Sequence, residues 1–416
     1  IAGRYYAQQD VSVPNAIIAD TGGTTYDVSL VHRGRIPRTR ETWIGQPFRG
    51  HMTGFPSIDI KSVGAGGGSI ARVDPGGILH VGPQSAGAVP GPVCYNMGGT
   101  EPTLTDAALA LGYLDAEFFL GGALKLHLES ARSVIKNKVA GPLGFGIPEA
   151  AAAIVSVVTE NMVQAISEIT VNQGIDPADA VLIGGGGAAG LNSTWIARRL
   201  GCPSVLIPET GAGLSAYGAM ISELSREYRT MFFTTSANWD EDGVNKVLGQ
   251  LRNRCQAFVD GPGAGAIESS IEFSVEARYA GQVWEIEVPL ATTNFEDPAD
   301  LSRLIKDFHA THQEIFAIND PDSIVEMVGW TSSVSCRLRK NIGSRLREIE
   351  AKSITKSREI YFDGAEVTTP VYPLQSIPVS LATEGPAIIE TPFTTIVIDP
   401  AARFYRSEHG SVMIMP

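Results

Sequence analysis

The sequence predicts an α/β protein in which glycine-bearing turns follow the strands of a central sheet. Residues 16–19 form a short apolar strand that leads through a polar turn into an alternating strand at 26–31. Further along, a strand at 180–183, a glycine turn, a helix at 191–200 and a strand at 204–207 form a β-α-β unit. Ligands favour the carboxyl ends of strands in such sheets, so both turns are candidate binding sites.

The clearest predicted helix spans residues 148–173. Pro148 suits its first turn, and Gly174 suits the position just after its end. Its apolar side chains recur at helical spacing, at Ile154, Val158, Met162, Ile166 and Ile169. The other predicted elements are helices at 103–111, 243–258 and 298–316, a hairpin at 270–289, a strand at 324–338, and strands throughout 358–416.

The composition excludes several functions. A net charge of −13 argues against binding nucleic acid or an acidic membrane. The four cysteines, Cys94, Cys202, Cys255 and Cys336, are widely spaced, which is typical of reduced thiols rather than a disulfide framework or a zinc site. We find no signal peptide and no run of the roughly 18 apolar residues that a membrane span requires. These features predict a cytoplasmic protein without membrane or nucleic-acid partners.

The turn after the first strand has the composition of a phosphate-binding loop. It reads Asp20-Thr21-Gly22-Gly23-Thr24-Thr25-Tyr26-Asp27-Val28. Gly22 and Gly23 allow backbone amides to converge on a phosphate, and the hydroxyls of Thr21, Thr24 and Thr25 are candidate donors to its oxygens. The alternative is a hairpin turn that binds no ligand.

Two carboxylates flank this turn. Asp20 is a candidate ligand for Mg²⁺, because that ion takes one or two carboxylates together with phosphate oxygens. Asp27 would support the turn or the metal's surroundings. We therefore expect both residues to belong to a catalytic site.

The second glycine-rich turn also separates a strand from a helix. It reads Leu182-Ile183-Gly184-Gly185-Gly186-Gly187-Ala188-Ala189-Gly190-Leu191-Asn192. Such a turn lets a flat ring or a phosphate pack on the backbone, so Gly184, Gly185, Gly186, Gly187 and Asn192 are candidate ligands. The pattern is neither a Rossmann fingerprint nor a P-loop. The alternative is close packing between helix and strand, and the same alternative applies to Gly211 and Gly213 in the string Glu209–Ala219.

The order of these motifs resembles the second half of the ATPase fold shared by actin, sugar kinases and heat-shock chaperones. In that fold the hairpin is the second phosphate motif, and the glycine run is the adenosine motif. The resemblance implies ATP as cofactor, with Mg²⁺ or Mn²⁺. The fold's first phosphate motif is absent from this sequence, so we expect a preceding segment or another chain to supply it.

Three further strings resemble the hydantoinase A-type subunits, a family that includes 5-oxoprolinase, N-methylhydantoinase, caprolactamase, and the acetone and acetophenone carboxylases. They lie at 59–71, 82–92 and 98–106 in the glycine-rich region 50–106, which shows little helical period. The first implies cofactor contacts from Gly64, Gly66, Gly67, Gly68 and Ser69. The best acidic candidates for catalysis beside these strings are Asp59, Glu101 and Asp106.

The resemblance extends over essentially the whole chain. Later strings that carry it are Phe119-Leu120-Gly121-Gly122, Arg278-Tyr279-Ala280-Gly281-Gln282, Tyr361-Phe362-Asp363-Gly364 and Gly385-Pro386-Ala387-Ile388-Ile389-Glu390. One departure is Tyr26, which stands where a small threonine is usual. We expect an ATPase-like half domain at 1–225, an α+β domain at 226–340 and a small β-rich domain at 341–416.

The resemblance implies an enzyme that uses ATP to phosphorylate the oxygen of an unreactive carbonyl. A hydantoinase B-type partner subunit would contribute to the second half-reaction in a hetero-oligomer. The substrate would be a ketone or a cyclic amide. The strings at 22–31 and 42–45 favour a ketone carboxylase of the acetophenone type, with ATP-dependent hydrolysis of a cyclic amide as the alternative. A further alternative is an actin- or chaperone-like module that ATP switches between binding states.

Overall fold

The computed structural model describes residues 1–39, 41–45, 49–53, 57–339 and 356–416. The chain divides into two compact units, Ile1–Ile221 with Ser344–Pro416, and Ser222–Gly343. The boundary near residue 221 lies close to the domain boundary expected at residue 225.

The strands are numbered in chain order over the described residues. They are β1 (Ala16–Thr21), β2 (Tyr26–Val31), β3 (Arg38–Thr39), β4 (Trp43–Ile44), β5 (His51–Met52), β6 (Ser57–Ile58), β7 (Ile60–Val63), β8 (Ser69–Val73), β9 (Leu79–Ser85), β10 (Val181–Gly185), β11 (Val205–Ile207), β12 (Leu224–Thr235), β13 (Glu268–Tyr279), β14 (Ile286–Pro289), β15 (Val325–Arg337), β16 (Lys356–Phe362), β17 (Ala365–Pro373), β18 (Thr383–Glu384), β19 (Ala387–Glu390), β20 (Thr395–Ile398), β21 (Arg403–Arg406) and β22 (Val412–Met415).

The α-helices follow the same numbering. They are α1 (Ala2–Tyr6), α2 (Leu104–Ala110), α3 (Leu128–Ile135), α4 (Gly141–Leu143), α5 (Ile147–Asn172), α6 (Ser193–Leu200), α7 (Leu214–Ile221), α8 (Glu241–Asp260) and α9 (Pro298–Phe316). The helices predicted at 148–173, 243–258 and 298–316 are thus confirmed to within two residues at each end.

The first unit is built on an eight-stranded sheet of order β18-β21-β22-β11-β10-β1-β2-β7. β1, β10 and β11 run parallel, and the other neighbours are antiparallel. Every residue of β10 is buried, as expected for a parallel strand covered on both faces. The β-α-β unit and the hairpin predicted from the sequence both lie in this sheet.

Helices cover both faces of the sheet. On one face, α5 and α6 pack over a core that includes Ile17 and Ala19 of β1. On the other face, α1 packs so closely that a Cβ added at Gly3 would lie 2.0 Å from Ile18 Cγ1. Helix α5 is long and apolar enough to pass a length-and-composition test for a membrane span, but many of its side chains lie in this core.

The C-terminal residues do not form the separate domain predicted at 341–416. β22 pairs with β11 in the central sheet, with Val205 opposite Ile414, so the sheet continues into the C-terminus. A second sheet of order β16-β17-β19-β20 belongs to the same compact unit. The prediction treated local strand patterns as a domain because a pairing between residues this far apart in sequence leaves no local signal.

The glycine-rich region 50–106 contains more regular structure than its composition predicts. β8 and β9 form an antiparallel hairpin with Arg72 opposite His80, and β7 adds to the central sheet beside β2. Thr103 and Asp106 form a reciprocal capping box at the start of α2. The glycines therefore lie where short strands and turns pack closely. They interrupt the pattern of apolar residues in the sequence, although strands form here.

The second unit is a four-stranded antiparallel sheet of order β12-β15-β13-β14 with helices α8 and α9. Its core includes Trp330, Phe308 and Phe295. Asp240 caps α8, and Asp297 and Asp300 form a capping box at α9. The predicted hairpin at 270–289 is confirmed by the pairing of β13 with β14.

A buried carboxylate joins the segment that follows α1 to the turn between β21 and β22. Asp10, whose side chain is 0% exposed, accepts hydrogen bonds from Ser407 Oγ at 3.0 Å and Ser411 Oγ at 2.7 Å, and its Oδ1 lies 2.8 Å from His409 Nδ1. These three partners all lie in or beside the turn between β21 and β22.

We predict that Asp10→Ala lowers the free energy of unfolding by about 2–4 kcal/mol, because several polar groups lose a buried charged acceptor. Denaturant unfolding followed by circular dichroism measures this change. Glu366→Ala, at an exposed position on β17 of the same unit, is the control and should change stability by less than about 0.5 kcal/mol. Equal effects of the two variants would contradict the anchoring role of Asp10.

Candidate functional site

The turn between β1 and β2 presents unpaired backbone amides. Gly22 N donates to Thr25 O at 3.0 Å and closes the turn. Among the described residues, the amides of Gly23 and Thr24 donate to no protein acceptor. Successive free amides in a glycine turn form an anion-binding concavity. The geometry is therefore suited to a phosphate, as the sequence predicts.

The glycine loop at residues 64–69, called the second glycine loop below, packs backbone to backbone against this turn. Gly67 N donates to Gly22 O at 3.1 Å, and Gly68 N donates to Gly23 O at 2.6 Å. A Cβ added at Gly66 would lie 2.7 Å from Gly22 O, which is closer than side-chain carbons approach. The second loop thus supports the turn from behind, and its amides at 67 and 68 are already used.

This packing separates the predicted cofactor contacts of the second loop into two groups. Gly67 and Gly68 line a cavity beside the hairpin turn. Gly64 is closed in by Pro83, and the Ser69 hydroxyl accepts a hydrogen bond from Gly66 N at 2.8 Å. Gly64, Gly66 and Ser69 therefore have structural explanations, so the structure supports ligand contact only for the other two.

The glycine run after β10 divides in the same way. A Cβ at Gly184 would meet Ile207, a Cβ at Gly185 would meet Leu214, and Gly186, at φ +84°, lies against Thr21 O. Only Gly187 of the run lines the cavity. Close packing, the alternative stated for the sequence, accounts for the first three glycines.

Three other predicted contacts lie outside the cavity lining. Asn192 is buried and donates through Nδ2 to Thr159 Oγ1 at 2.8 Å, which links α6 to α5. Gly211 accepts a hydrogen bond from Gly186 N at 2.8 Å, and Gly213 belongs to a short 3-10 turn before α7. Their local roles are to hold the glycine run and the helices around it.

Asp20 and Asp27 lie directly opposite each other on β1 and β2. Opposed side chains of an antiparallel pair share one face, with Cβ atoms about 5 Å apart. Asp20 accepts a hydrogen bond from Ser215 Oγ at 2.6 Å, and Asp27 accepts from Ser62 Oγ and from Thr25 Oγ1 at 3.1 Å. Both residues are partly exposed.

Asp20 and Asp27 can hold a magnesium ion only if further oxygen ligands, such as those of a bound phosphate, complete its coordination. No group of three or more potential metal ligands occurs in the part of the chain that the structure describes. Mg²⁺ commonly takes one or two carboxylates and completes its coordination with water and phosphate oxygens. Asp20 and Asp27, which flank the β1–β2 turn, would supply the carboxylates of such a set.

The structure does not bring Asp59, Glu101 and Asp106 into a common site with this pair. Asp59 accepts a hydrogen bond from Gln173, and Glu101 forms an ion pair with Lys138. None of these five carboxylates lines the cavity, and the three have partners different from those of Asp20 and Asp27.

Asp106 has a structural role that explains its position. It is fully buried and accepts hydrogen bonds from Val93 N at 3.2 Å, Cys94 N at 2.7 Å, Thr103 N at 2.9 Å and Thr103 Oγ1 at 2.8 Å. Four donors occupy its carboxylate, so it caps α2 and offers nothing to a substrate. The spacing Thr103-x-x-Asp106 is the sequence signal for this cap.

The cavity is assembled from distant parts of the chain. Its lining comes from Gly22 and Gly23, from the second glycine loop, from residues 114–120, from the turn after β10, and from residues 390–395. It encloses about 860 Å³, including the part open to solvent. The stretches 114–120 and 390–395 were not predicted as site residues, although strings at 119–122 and 385–390 carry the family resemblance.

The cavity lining contains both polar and aromatic side chains. Burial raises the pKa of Tyr95, one of the lining residues, to about 12. Thr105 donates to Gly67 O at 2.8 Å and fixes the loop beside it. Tyr26, by contrast, is fully buried in the core and does not line the cavity.

A turn with free amides, a neighbouring glycine run and a partly aromatic cavity are together suited to a phosphate-bearing ligand in an α/β protein. The Hydantoinase/oxoprolinase family matches residues 1–228, and the Hydantoinase/oxoprolinase C-terminal domain matches residues 243–412. The chain belongs to the hydantoinase/oxoprolinase family. The fold class predicted from the sequence is confirmed.

Individual relatives agree with this assignment. The chain is 37% identical over 408 residues to caprolactamase subunit alpha of Pseudomonas jessenii, covering 95% of this chain and 57% of the relative. It is 29% identical to the acetophenone carboxylase gamma subunit of Aromatoleum aromaticum, covering 100% and 58%. The crystal structure of the ATP-dependent caprolactamase from Pseudomonas jessenii superposes with a TM-score of 0.84 at 36% identity, covering 100% and 60%. The chain thus spans somewhat over half the length of these relatives.

We predict that Gly23→Ala and Gly66→Ala act differently. The Cβ at Gly23 meets no protein atom within 4 Å, so stability should stay within about 1 kcal/mol, but binding of ATP and tripolyphosphate should weaken because the methyl group adjoins the free amides. Gly66→Ala should cost about 1–3 kcal/mol of stability, because its Cβ overlaps the hairpin backbone.

Thermal unfolding and calorimetric titration separate the two effects. Gly249→Ala, with open space around its Cβ in α8, is the control: it should leave ligand binding unchanged and raise stability by at most about 1 kcal/mol, because alanine favours a helix more than glycine does. Full-strength phosphate binding by Gly23→Ala would exclude the turn as the phosphate site.

Proposed function

We propose that this chain carries the ATP-binding half of an enzyme that activates the carbonyl group of a cyclic amide. The observation that carries this proposal is the convergence of the family strings on one cavity beside a turn with free amides. ATP use agrees with the ATP-dependent caprolactamase that the chain resembles.

The residues around the turn suit phosphoryl transfer. The amides of Gly23 and Thr24 hold phosphate oxygens, and Asp20 and Asp27 hold Mg²⁺, which supplies charge neutralisation when bound. The amide oxygen attacks the γ-phosphorus, and the bond to the ADP oxygen breaks. Water then adds to the activated carbon, and the ring C–N bond breaks with protonation of nitrogen to leave an acyl phosphate. A second water attacks the acyl carbon, and inorganic phosphate leaves with the former amide oxygen. Positioning and electrostatics dominate such reactions.

The choice of a cyclic amide rests on similarity. Identity to the caprolactamase subunit is 37%, against 29% for the acetophenone carboxylase subunit. Of the two strings that favoured a ketone carboxylase in the sequence, 22–31 contributes Gly22 and Gly23 to the cavity lining, and 42–45 contributes nothing to it. Ketone carboxylation is the second candidate, because the acetophenone carboxylase subunit matches the whole chain.

The complete enzyme requires further parts. The relatives are named as subunits and are longer than this chain. We propose that a preceding segment or a companion chain supplies the first phosphate motif. A hydantoinase B-type partner would supply groups for the second half-reaction, including a metal site, in a cytoplasmic hetero-oligomer.

Isotope transfer tests the reaction. In the complete enzyme, a cyclic amide labelled with ¹⁸O at its carbonyl should pass that label to inorganic phosphate, since phosphate leaves with the former amide oxygen. Mass spectrometry of the released phosphate measures the transfer. Asp20→Asn should lower the rate and raise the Mg²⁺ concentration needed for half-maximal activity.

The other functions give different results. Phosphate release that requires a ketone and bicarbonate, and ignores lactams and hydantoins, would replace hydrolysis by carboxylation. Phosphate release that unfolded peptides stimulate, without any carbonyl substrate, would indicate an ATP-switched binding module. Unlabelled phosphate formed during amide hydrolysis would contradict phosphorylation of the amide oxygen.

A further inference from the structure

We infer that the cavity takes the nucleoside part of ATP, and that Glu390 and Phe393 of the C-terminal segment determine its nucleotide specificity. This inference rests on the proposed use of ATP. It adds a nucleotide-recognising role for the turn between β19 and β20, in a part of the chain that lies far in sequence from both glycine motifs.

The cavity begins at the proposed phosphate site. Gly22 and Gly23 form part of its lining, and residues 390–395 form another part. A triphosphate bound to the free amides therefore has its nucleoside end beside a cavity. Fully polar phosphate would leave the aromatic lining unused, whereas a nucleoside presents a flat ring and hydroxyl groups to it.

The β19–β20 turn is held rigidly at the cavity. Thr394 Oγ1 donates to Gly187 O at 3.1 Å, which joins the turn to the glycine run. Within the turn, Thr394 N donates to Thr391 Oγ1 at 2.9 Å. A Cβ added at Gly190 would lie 2.3 Å from Thr395 O, so glycine there permits this contact. A preorganised wall loses little conformational entropy when it binds a ligand.

Three apolar side chains at this wall remain substantially exposed. Phe393 is 61% exposed, Leu120 is 53% exposed and Phe118 is 38% exposed, and all three line the cavity. Leu120 also has a left-handed backbone, with φ +53°. Clustered exposed apolar groups around a concave surface mark a ligand site. Aromatic faces in such a position stack on a nucleobase.

Two carboxylates supply hydrogen-bond acceptors in the same wall. Glu390 and Asp115 line the cavity, and Glu390 Oε1 forms an ion pair with Arg358. Arg358 also donates to Gly112 O at 3.1 Å and Tyr113 O at 3.3 Å, so it is a positioning residue. Within the described structure, Glu390 Oε2 has no protein donor. This oxygen can accept a hydrogen bond from a ribose hydroxyl or from a base amino group. Its negative charge would repel an anionic group at the same position.

Comparison of ATP with tripolyphosphate tests the inference in the complete enzyme. Phe393→Ala should weaken ATP binding on the order of tenfold, because stacking is lost. Glu390→Gln should weaken it by about tenfold or more, because a charged acceptor is lost. Both variants should bind tripolyphosphate as the wild type does, since tripolyphosphate contacts only the hairpin side.

Two further variants control for indirect effects. Phe145→Ala removes an aromatic side chain that is 50% exposed and outside the cavity lining, so it should bind both ligands normally. Arg358→Lys keeps a positive charge beside Glu390 and should restore ATP affinity relative to Arg358→Gln. An equal loss in both Arg358 variants, without a change in melting temperature, would contradict the positioning role.

The outcomes separate this inference from the proposed function. If Phe393→Ala and Glu390→Gln bind ATP normally and raise only the KM for the cyclic amide, the cavity belongs to the carbonyl substrate and the inference is wrong. Normal ATP binding and normal KM in both variants would also overturn it. If the wild-type enzyme binds tripolyphosphate but neither binds nor hydrolyses ATP, the proposed function itself fails.

Discussion

The backbone contact between the second glycine loop and the β1–β2 turn is the constraint on which the site depends. The carbonyls of Gly22 and Gly23 each accept an amide from that loop. Their turn is therefore fixed from one side, while the amides of Gly23 and Thr24 stay available. Such an arrangement needs two backbones to touch, and a side chain at Gly66 would prevent it. Glycine in the supporting loop is thus a condition for the geometry of the proposed phosphate site without being a contact to phosphate.

This division of roles explains which site residues a sequence can identify. The hairpin string was recognisable because turn, hydroxyls and carboxylates are contiguous, and the structure places Asp20 opposite Asp27. Composition could not separate Gly187, which faces the cavity, from Gly184 and Gly185, which pack on Ile207 and Leu214. A glycine that faces a ligand and a glycine that packs against a side chain both lack a Cβ for steric reasons, so the two look the same in the sequence. Only the neighbouring atoms reveal the difference.

The acidic candidates show a related limit. Asp106 lies in the right string, but all of its acceptor capacity is used in the cap of α2. Glu390 was part of a family string without an assigned role, yet it lines the cavity. A carboxylate's function depends on how many donors already surround it, and those donors come from distant residues. The helices were predicted well because their apolar period is local, whereas the pairing of β22 with β11 was not.

The C-terminal segment links the stability of the fold to the geometry of the site. It enters the central sheet through β22 and is fastened to the N-terminal turn through Asp10. In the β19–β20 turn, Thr394 donates a hydrogen bond to Gly187 O. The preceding residue, Gly186, lies against Thr21 O at the end of β1. A displacement of the turn would therefore move a cavity wall and the glycine run together. For that reason the cavity is a property of the whole first unit, and no single motif contains it.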